Sequence, residues 1–197
     1  QGIVQALRAQ YQALNGDLAA VQGYLLLNEI DNPDYTPAFY PAMAAAIRAI
    51  RAEDPLRPAL AVAAVDDFTR KGGSAEGFMD AFFQGYDPPN IFQHEHYVFR
   101  GDVAVEGSEG QGGRRKVAQQ LDLLLGGYDR VCRLVLSRAG RWHAIVQVHG
   151  EVRDGRVHYR EPEPAEIRVQ VGLALSRGAS GIVYFVYGSG DEVFGDG

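Results

Sequence analysis

Residues 22–30 read QGYLLLNEI, an apolar run that is followed at once by the turn signal Asp-Asn-Pro at residues 31–33. The run is shorter than a typical helix, so its length and its terminator favour a buried β-strand. Thr36 and Pro37 then form a helix start signal, because Thr is a good N-cap and Pro suits the first helical position. This part of the chain therefore predicts a strand followed directly by a helix, as in a βαβ unit.

The same alternation of short apolar runs and helical patterns continues along the chain. The predicted strands are 22–30, 58–65, 90–99, 142–149 and 181–187. The predicted helices are an N-terminal pattern through Leu14, then 37–54, 74–86, 114–138 with Gly126-Gly127 as a candidate interruption, and 164–177 closed by Gly178. The predicted loops are the glycine-rich 101–113 and the segment 150–160, with a tight turn at Asp154-Gly155. Strands that alternate with helices in this way form a parallel sheet that is buried on both faces.

Two α/β architectures satisfy this alternation, an open doubly wound sheet and a length of (β/α)₈ TIM barrel. A complete barrel needs about 250 residues, whereas the chain has 197. Gln1 stands inside a helical pattern and Gly197 soon follows a strand, so both ends look cut. We therefore expect a single partial (β/α)-barrel domain over residues 1–197, truncated at both ends.

The composition argues against several classes of partner. The net charge of −6 is unlike the basic surface that binds nucleic acid, and no apolar run approaches the length of about 20 residues that spans a bilayer. The single cysteine, Cys132, cannot form an internal disulfide, and the sequence has no Cys/His zinc pattern. The location of the protein stays open, and a secreted or periplasmic location fits if the full-length protein carries a signal peptide.

Polar and aromatic side chains gather at the ends of the predicted strands, which is where ligands bind in both architectures. The candidates are Asn28, Glu29, Glu95, Tyr97, Gln147, His149, Glu151, Tyr184 and Tyr187. Glycosidic bond hydrolysis needs one carboxylic acid to protonate the leaving oxygen and a second carboxylate as nucleophile or base. The three glutamates are therefore candidate catalytic residues, and the remaining side chains could hold a carbohydrate substrate.

Other chemistries find less support in the sequence. His94 and His96 lie two residues apart on one strand face and could bind zinc, but no third ligand stands out and packed histidines are the alternative. The loop 101–113 lacks the spacing of a phosphate loop, no GxGxxG motif follows a strand, and no GxSxG elbow is present. We expect neither a metal nor a cofactor.

Several of these motifs resemble a known family. Residues 23–29 (GYLLLNE), Asp54-Pro55 and Arg57-Pro58 are similar to strand four and the segments that follow it in the large barrel clan of retaining glycoside hydrolases. A second set resembles strand seven to strand eight of uncharacterised barrel members, namely residues 142–147, Pro162, Pro164, Glu166 and residues 178–182. The resemblance implies strands four to eight of a TIM barrel, with Glu29 as general acid/base and Asn28 as a ligand of the sugar hydroxyl beside the anomeric centre.

One departure from the family leaves the mechanism open. The clan carries its nucleophilic glutamate at the end of strand seven, where this sequence has Gln147 and His149. Glu95 or Glu151 could supply the second carboxylate, by a retaining or an inverting reaction. The alternative is a carbohydrate-binding or scaffold barrel without catalysis. The sequence leaves the sugar, the linkage and the oligomeric state open.

Overall fold

The computed structural model describes residues 2–13, 21–28, 37–64, 74–100, 111–153 and 156–185. The helices are α1 (Ile3–Ala13), α2 (Tyr40–Glu53) after a 3₁₀ turn at Pro37–Phe39, α3 (Ala75–Phe83), α4 (Gln111–Leu136) and α5 (Pro164–Ser176). The strands are β1 (Tyr24–Leu27), β2 (Ala59–Ala63), β3 (Ile91–Glu95), β4 (Arg141–Gln147), β5 (Glu151–Arg153), β6 (Arg156–Tyr159) and β7 (Gly181–Phe185). No helix in these ranges is both long enough and apolar enough to cross a membrane.

Five strands form one mostly parallel sheet in the order β1-β2-β3-β4-β7. The pairs β1–β2 and β4–β7 are parallel, and β5 and β6 form a separate antiparallel hairpin. This confirms the predicted α/β class. Barrel closure itself stays a prediction.

The chain divides into two compact units, which we call unit one (residues 1–93 and 133–142) and unit two (residues 94–132 and 143–197). In unit one, α3 begins at Ser74, whose hydroxyl accepts the backbone N–H of Gly77 at 2.9 Å. The buried ring of Phe78 stacks on Phe82 with centroids 5.7 Å apart. Burial of these aromatic rings supplies much of the hydrophobic stabilisation of unit one.

Two buried polar residues also hold unit one together. The side-chain oxygen of Asn90 accepts from Arg51 at 2.9 Å and from the backbone N–H of Ala59 at 3.1 Å. Asp54 accepts from the Tyr24 hydroxyl at 2.7 Å, and further donors to Asp54 are the guanidinium groups of Arg8 and Arg57. Burial raises the pKa of Asp54, but these three donors outweigh it and hold the pKa below its ordinary value.

Unit two is built around α4, α5 and the sheet strands that they cover. The Tyr128 ring of α4 is fully buried and meets the His94 ring edge-to-face at 5.9 Å. Helix α5 starts with a capping box between Glu163 and Glu166. Gly178 follows its end with φ of 79°, which confirms the predicted C-terminal glycine cap.

Two predictions about local structure are wrong. Helix α4 runs without interruption through Gly126-Gly127 and begins at Gln111, inside the predicted loop. A Cβ on Gly127 would lie 2.9 Å from His96 Nδ1 and 3.2 Å from His94 Nε2, so this glycine allows close packing and does not end the helix. Segment 150–160, predicted as a loop, contains the β5–β6 hairpin. The predicted cap Thr36 and the turn at Asp154-Gly155 lie outside the described residues.

Candidate functional site

Glu95 and Tyr97 lie together at the carboxyl end of β3 in unit two. Glu95 is the last residue of the strand, and the hydroxyl of Tyr97 donates a hydrogen bond to Glu95 Oε2 at 3.4 Å. Both side chains are half-buried. This contact places the Tyr97 hydroxyl beside the Glu95 carboxyl at the end of the strand.

Three rings surround Tyr97, and together with it they form what we call the aromatic cluster: Tyr97, His149, Tyr159 and Phe185. Tyr97 stacks on Phe185 with centroids 5.7 Å apart and planes 15° apart. His149 and Tyr159 each form an edge-to-face pair with Tyr97, with ring centroids 5.2 Å and 5.7 Å apart. Stacked and edge-to-face pairs at such separations stabilise each other and hold the rings in fixed orientations. The cluster therefore fixes the position of the hydroxyl that contacts Glu95.

His149 is oriented by the end of β7. Its Nδ1 lies 2.8 Å from the carbonyl oxygen of Phe185, and the side chain is almost buried. A carbonyl oxygen only accepts hydrogen bonds, so Nδ1 must carry the hydrogen. In the neutral ring this tautomer makes Nε2 the acceptor nitrogen.

Gln147 makes hydrogen bonds through both ends of its side-chain amide. The side chain is fully buried. Its Oε1 accepts the backbone N–H of Phe99 at 3.1 Å, and its Nε2 shares its hydrogens among the carbonyl oxygens of Phe99, His149 and Arg160 at 3.2, 3.3 and 3.1 Å. Gln170 of α5 pairs with the Gln147 backbone, accepting its N–H at 3.2 Å and donating to its oxygen at 3.1 Å. Gln147 therefore links β4 to α5, to Phe99 beyond the end of β3 and to Arg160 after the hairpin.

Arg160, which directly follows β6, anchors this end of the β5–β6 hairpin. Its guanidinium group binds both carboxylate oxygens of Glu166, at 2.8 and 2.6 Å, and lies 4.8 Å from the centre of the Phe99 ring. Burial raises the pKa of Glu166, but the bonds from Arg160 and from the Glu163 N–H outweigh it and hold the pKa below its ordinary value. Paired ions of this kind position the neighbouring backbone.

The structure brings four of the predicted site residues together at the carboxyl ends of β3 and β4: Glu95, Tyr97, Gln147 and His149. Glu151 begins β5, half-buried, and pairs in register with Tyr159 of the cluster. Asn28 is exposed just after β1, in unit one. Glu29 and Tyr187 lie outside the described residues.

Tyr184 lies outside the aromatic cluster, and its predicted role in substrate binding stays a prediction. It is 53% exposed and alternates along β7 with Phe185, so the two side chains point to opposite faces of the strand. Since Phe185 belongs to the aromatic cluster, Tyr184 points away from it. Phe185 and Tyr159 were not predicted as site residues. Strand alternation could have indicated Phe185, whereas Tyr159 lies in a hairpin that was taken for a loop.

Within the described ranges, no group of three or more His, Cys, Asp and Glu side chains could hold a metal ion. His94 of β3 and His96, which follows the strand, both lie close to α4. The His94 ring contacts Tyr128 of α4, and its centre lies 6.0 Å from the centre of the His96 ring. Their close partner on α4 is the backbone at Gly127. These contacts are those of packed rings.

The sequence matches no protein-family model and no curated protein. The fold is similar to that of a crystal structure described as a "putative alpha-L-fucosidase" from Bacteroides thetaiotaomicron, with a TM-score of 0.55 and 10% sequence identity. The match covers 91% of this chain and 51% of the fucosidase chain, so the chain spans about half the length of that neighbour. At this identity the likeness concerns the fold alone, and it is a distant likeness to a glycosidase-like fold.

Proposed function

We propose that this chain belongs to a glycoside hydrolase, an enzyme that hydrolyses O-glycosyl bonds of a carbohydrate substrate. The observation that carries the proposal is Glu95, half-buried at the carboxyl end of β3 and contacted by the Tyr97 hydroxyl. Such strand ends are where barrel enzymes place their catalytic groups. The distant fold likeness to a glycosidase supports the same class of reaction.

Glu29 stays the general acid that the family resemblance implies. Within unit two, Glu95 is the carboxylate that we propose as nucleophile or base. The acid must stay protonated near neutral pH, which requires burial or a nearby negative charge to raise its pKa. Glu95 is preferred over Glu151 because it ends a strand of the main sheet and accepts the Tyr97 hydroxyl. His149 and the aromatic cluster would orient the sugar. Asn28 stays the sugar ligand that the family resemblance implies.

An α-L-fucoside is the first substrate to test, because the structural neighbour is described as an α-L-fucosidase. The full chain is assayed on a panel of aryl glycosides that includes α-L-fucosides. Glu29→Gln and Glu95→Gln should each lower kcat by about a hundredfold or more. The matched control is Glu76→Gln, an exposed glutamate of α3, which should leave kcat unchanged. Undiminished turnover in Glu29→Gln would refute the assignment of the acid.

A sugar-binding barrel without catalysis is the second candidate function. This candidate is favoured by Gln147, because the clan that the sequence resembles carries its nucleophilic glutamate in this region. The Gln147 side chain is fully buried, and both ends of its amide bond to backbone atoms. This candidate predicts that glycosides bind, as seen by calorimetric titration, and that no reducing sugar is released. Release of sugar that depends on Glu29 and Glu95 would exclude it.

A further inference from the structure

Two arginines lie over aromatic rings where residues 99–100 run beside the end of β6. The Arg160 guanidinium group lies 4.8 Å from the centre of the Phe99 ring, and the Arg100 guanidinium group lies 5.9 Å from the centre of the Tyr159 ring. The backbone fixes both pairs, because Arg100 and Tyr159 form an antiparallel bridge and the Arg160 N–H donates to the Phe99 carbonyl at 3.0 Å. Side chains alternate along extended backbone, so the two arginine–aromatic pairs lie on opposite faces.

The two arginines differ in their anionic partners. Arg160 is buried, and both oxygens of Glu166 accept from its guanidinium group at 2.8 and 2.6 Å. Arg100 is exposed, and among the residues that the structure describes no carboxylate pairs with it. A guanidinium group that is held over a ring presents a planar set of N–H donors, which matches a carboxylate or a sulfate in two-pronged geometry. The outer pair therefore offers what the inner pair already uses, a fixed site for an anion.

Arg100 lies beside the proposed site in unit two. The Tyr159 ring that it covers forms an edge-to-face pair with Tyr97, whose hydroxyl donates to Glu95. Glu151 pairs with Tyr159 from the strand on the other side, so its backbone is two strand spacings, roughly 10 Å, from that of Arg100. Positive charge is thus present on one side of Tyr159 and a half-buried carboxyl group on the other.

We propose that Arg100 binds an anionic substituent, a carboxylate or a sulfate ester, of the carbohydrate that occupies the site at Glu95. This assignment rests on the proposed function and deepens it, since it places the substrate among the acidic carbohydrates. Hydrogen bonds between a guanidinium group and an anion are about twice as strong as those between neutral groups. Glu151 repels a negative group, so the substituent should point to the Arg100 side of Tyr159.

The test measures dissociation constants of two matched pairs of ligands on the full chain by calorimetric titration. The first pair is methyl α-L-fucoside and its monosulfate esters, and the second is methyl β-D-glucoside and methyl β-D-glucuronide, so the two arms distinguish sulfate from carboxylate. In at least one arm the anionic member should bind about tenfold more tightly than the neutral member. This preference should weaken at high salt, because exposed charges are screened.

Arg100→Gln should remove the preference, an about tenfold loss of affinity for the anionic member, and leave the dissociation constant of the neutral member unchanged. Arg100→Lys should keep part of the preference, because the charge remains while the planar set of donors is lost. Arg168→Gln, at an exposed arginine of α5, is the matched control and should change neither constant. The neutral ligand shows in each variant whether the site is still folded.

Absence of a preference in both arms, including absence of measurable binding, overturns the inference. So does a preference that survives in Arg100→Gln, or an equal loss of affinity for both members of a pair, which would assign Arg100 a structural role only. Failure of the proposed function looks different. If no glycoside is hydrolysed but the anionic ligand binds through Arg100, the hydrolase proposal fails while the anion site stands. Hydrolysis that depends on Glu95 but shows no preference for anionic sugars leaves the function and removes the site.

Discussion

The side-chain oxygen of Gln147 accepts the backbone N–H of Phe99 at 3.1 Å, and the side-chain nitrogen returns a hydrogen bond to the Phe99 carbonyl at 3.2 Å. The amide thereby pairs with one residue as a neighbouring strand would. A carboxylate could accept the first bond but could not donate the second. The Gln147 amide therefore joins backbone segments, a role that a carboxylate could not fill.

Gln147→Glu should destabilise the protein and add no activity. The new carboxylate would be buried against the carbonyl oxygens of Phe99, His149 and Arg160, so we expect a loss of about 3 kcal/mol or more in the free energy of unfolding at neutral pH. Urea denaturation measures it. Gln119→Glu, on an exposed position of α4, should change the same quantity by less than about 0.5 kcal/mol. A stable, more active Gln147→Glu variant would contradict the structural role of this amide.

Substitution of two adjacent glycines of α4 by alanine should change the free energy of unfolding in opposite directions. Nothing lies within 4 Å of a Cβ built on Gly126, so Gly126→Ala should raise the free energy of unfolding by about 0.5–1 kcal/mol through helix propensity. A Cβ on Gly127 meets His96 Nδ1 at 2.9 Å, and Gly127→Ala should lower it by about 1–3 kcal/mol. Thermal or urea unfolding of the two variants checks both signs. Equal stabilisation by the Gly126→Ala and Gly127→Ala variants would show that α4 does not pack closely on His94 and His96.

Acid should weaken the fold through Asp54 and Glu166. Both have a pKa below the ordinary values of 3.8 and 4.5. Their stabilisation is therefore fully present above those values and is lost as the pH falls below them and through the lower pKa of the folded protein. The free energy of unfolding should decline below about pH 5, and Glu166→Gln should make this decline shallower.

At neutral pH the Glu166→Gln variant should already be less stable, by about 1–3 kcal/mol, because Arg160 loses a charged partner. Its difference from the unaltered protein should then shrink as the pH is lowered. Urea denaturation at a series of pH values measures both. The exposed Glu76→Gln variant serves as the control, and a constant difference at every pH would exclude a role for the Glu166 charge.

His149 should tolerate asparagine better than glutamine. The Asn side-chain nitrogen can take the place of Nδ1 and donate to the Phe185 carbonyl, which Nδ1 contacts at 2.8 Å. The longer Gln places its nitrogen nearer to the position of Nε2. We expect His149→Gln to be about 1 kcal/mol less stable than His149→Asn, as measured by urea denaturation. The reverse order would indicate that the contact with Phe185 contributes little.

The predicted strands and helices follow from local patterns, and these are largely confirmed. Residues 142–149 were predicted as a strand, and β4 covers Arg141–Gln147. Apolar runs of this length between turn signals are sufficient to place a buried strand. The gathering of Glu95, Tyr97 and His149 was also accessible, because it follows from parallel strands that end at one edge of a sheet.

What escaped prediction depends on contacts between distant segments. A glycine such as Gly127 is typical of a helix break, yet here its lack of a side chain leaves room for the rings of His94 and His96. The hairpin strands are short and polar, so they lack a clear alternation. The partners of Gln147 come from Phe99, Arg160 and Gln170, and no spacing in the sequence links these residues.

The β5–β6 hairpin is anchored at its base and exposes Val152 and Val157 farther out. This difference has an evolutionary consequence. Arg160 and Gln147 anchor the base through Glu166 and the Phe99 backbone, while the outer valines contact solvent. Changes of length or composition in the outer half would leave the anchored base and the sheet intact. Related chains should therefore vary most in this outer half of the hairpin. It is also the natural place to exchange segments in engineered variants.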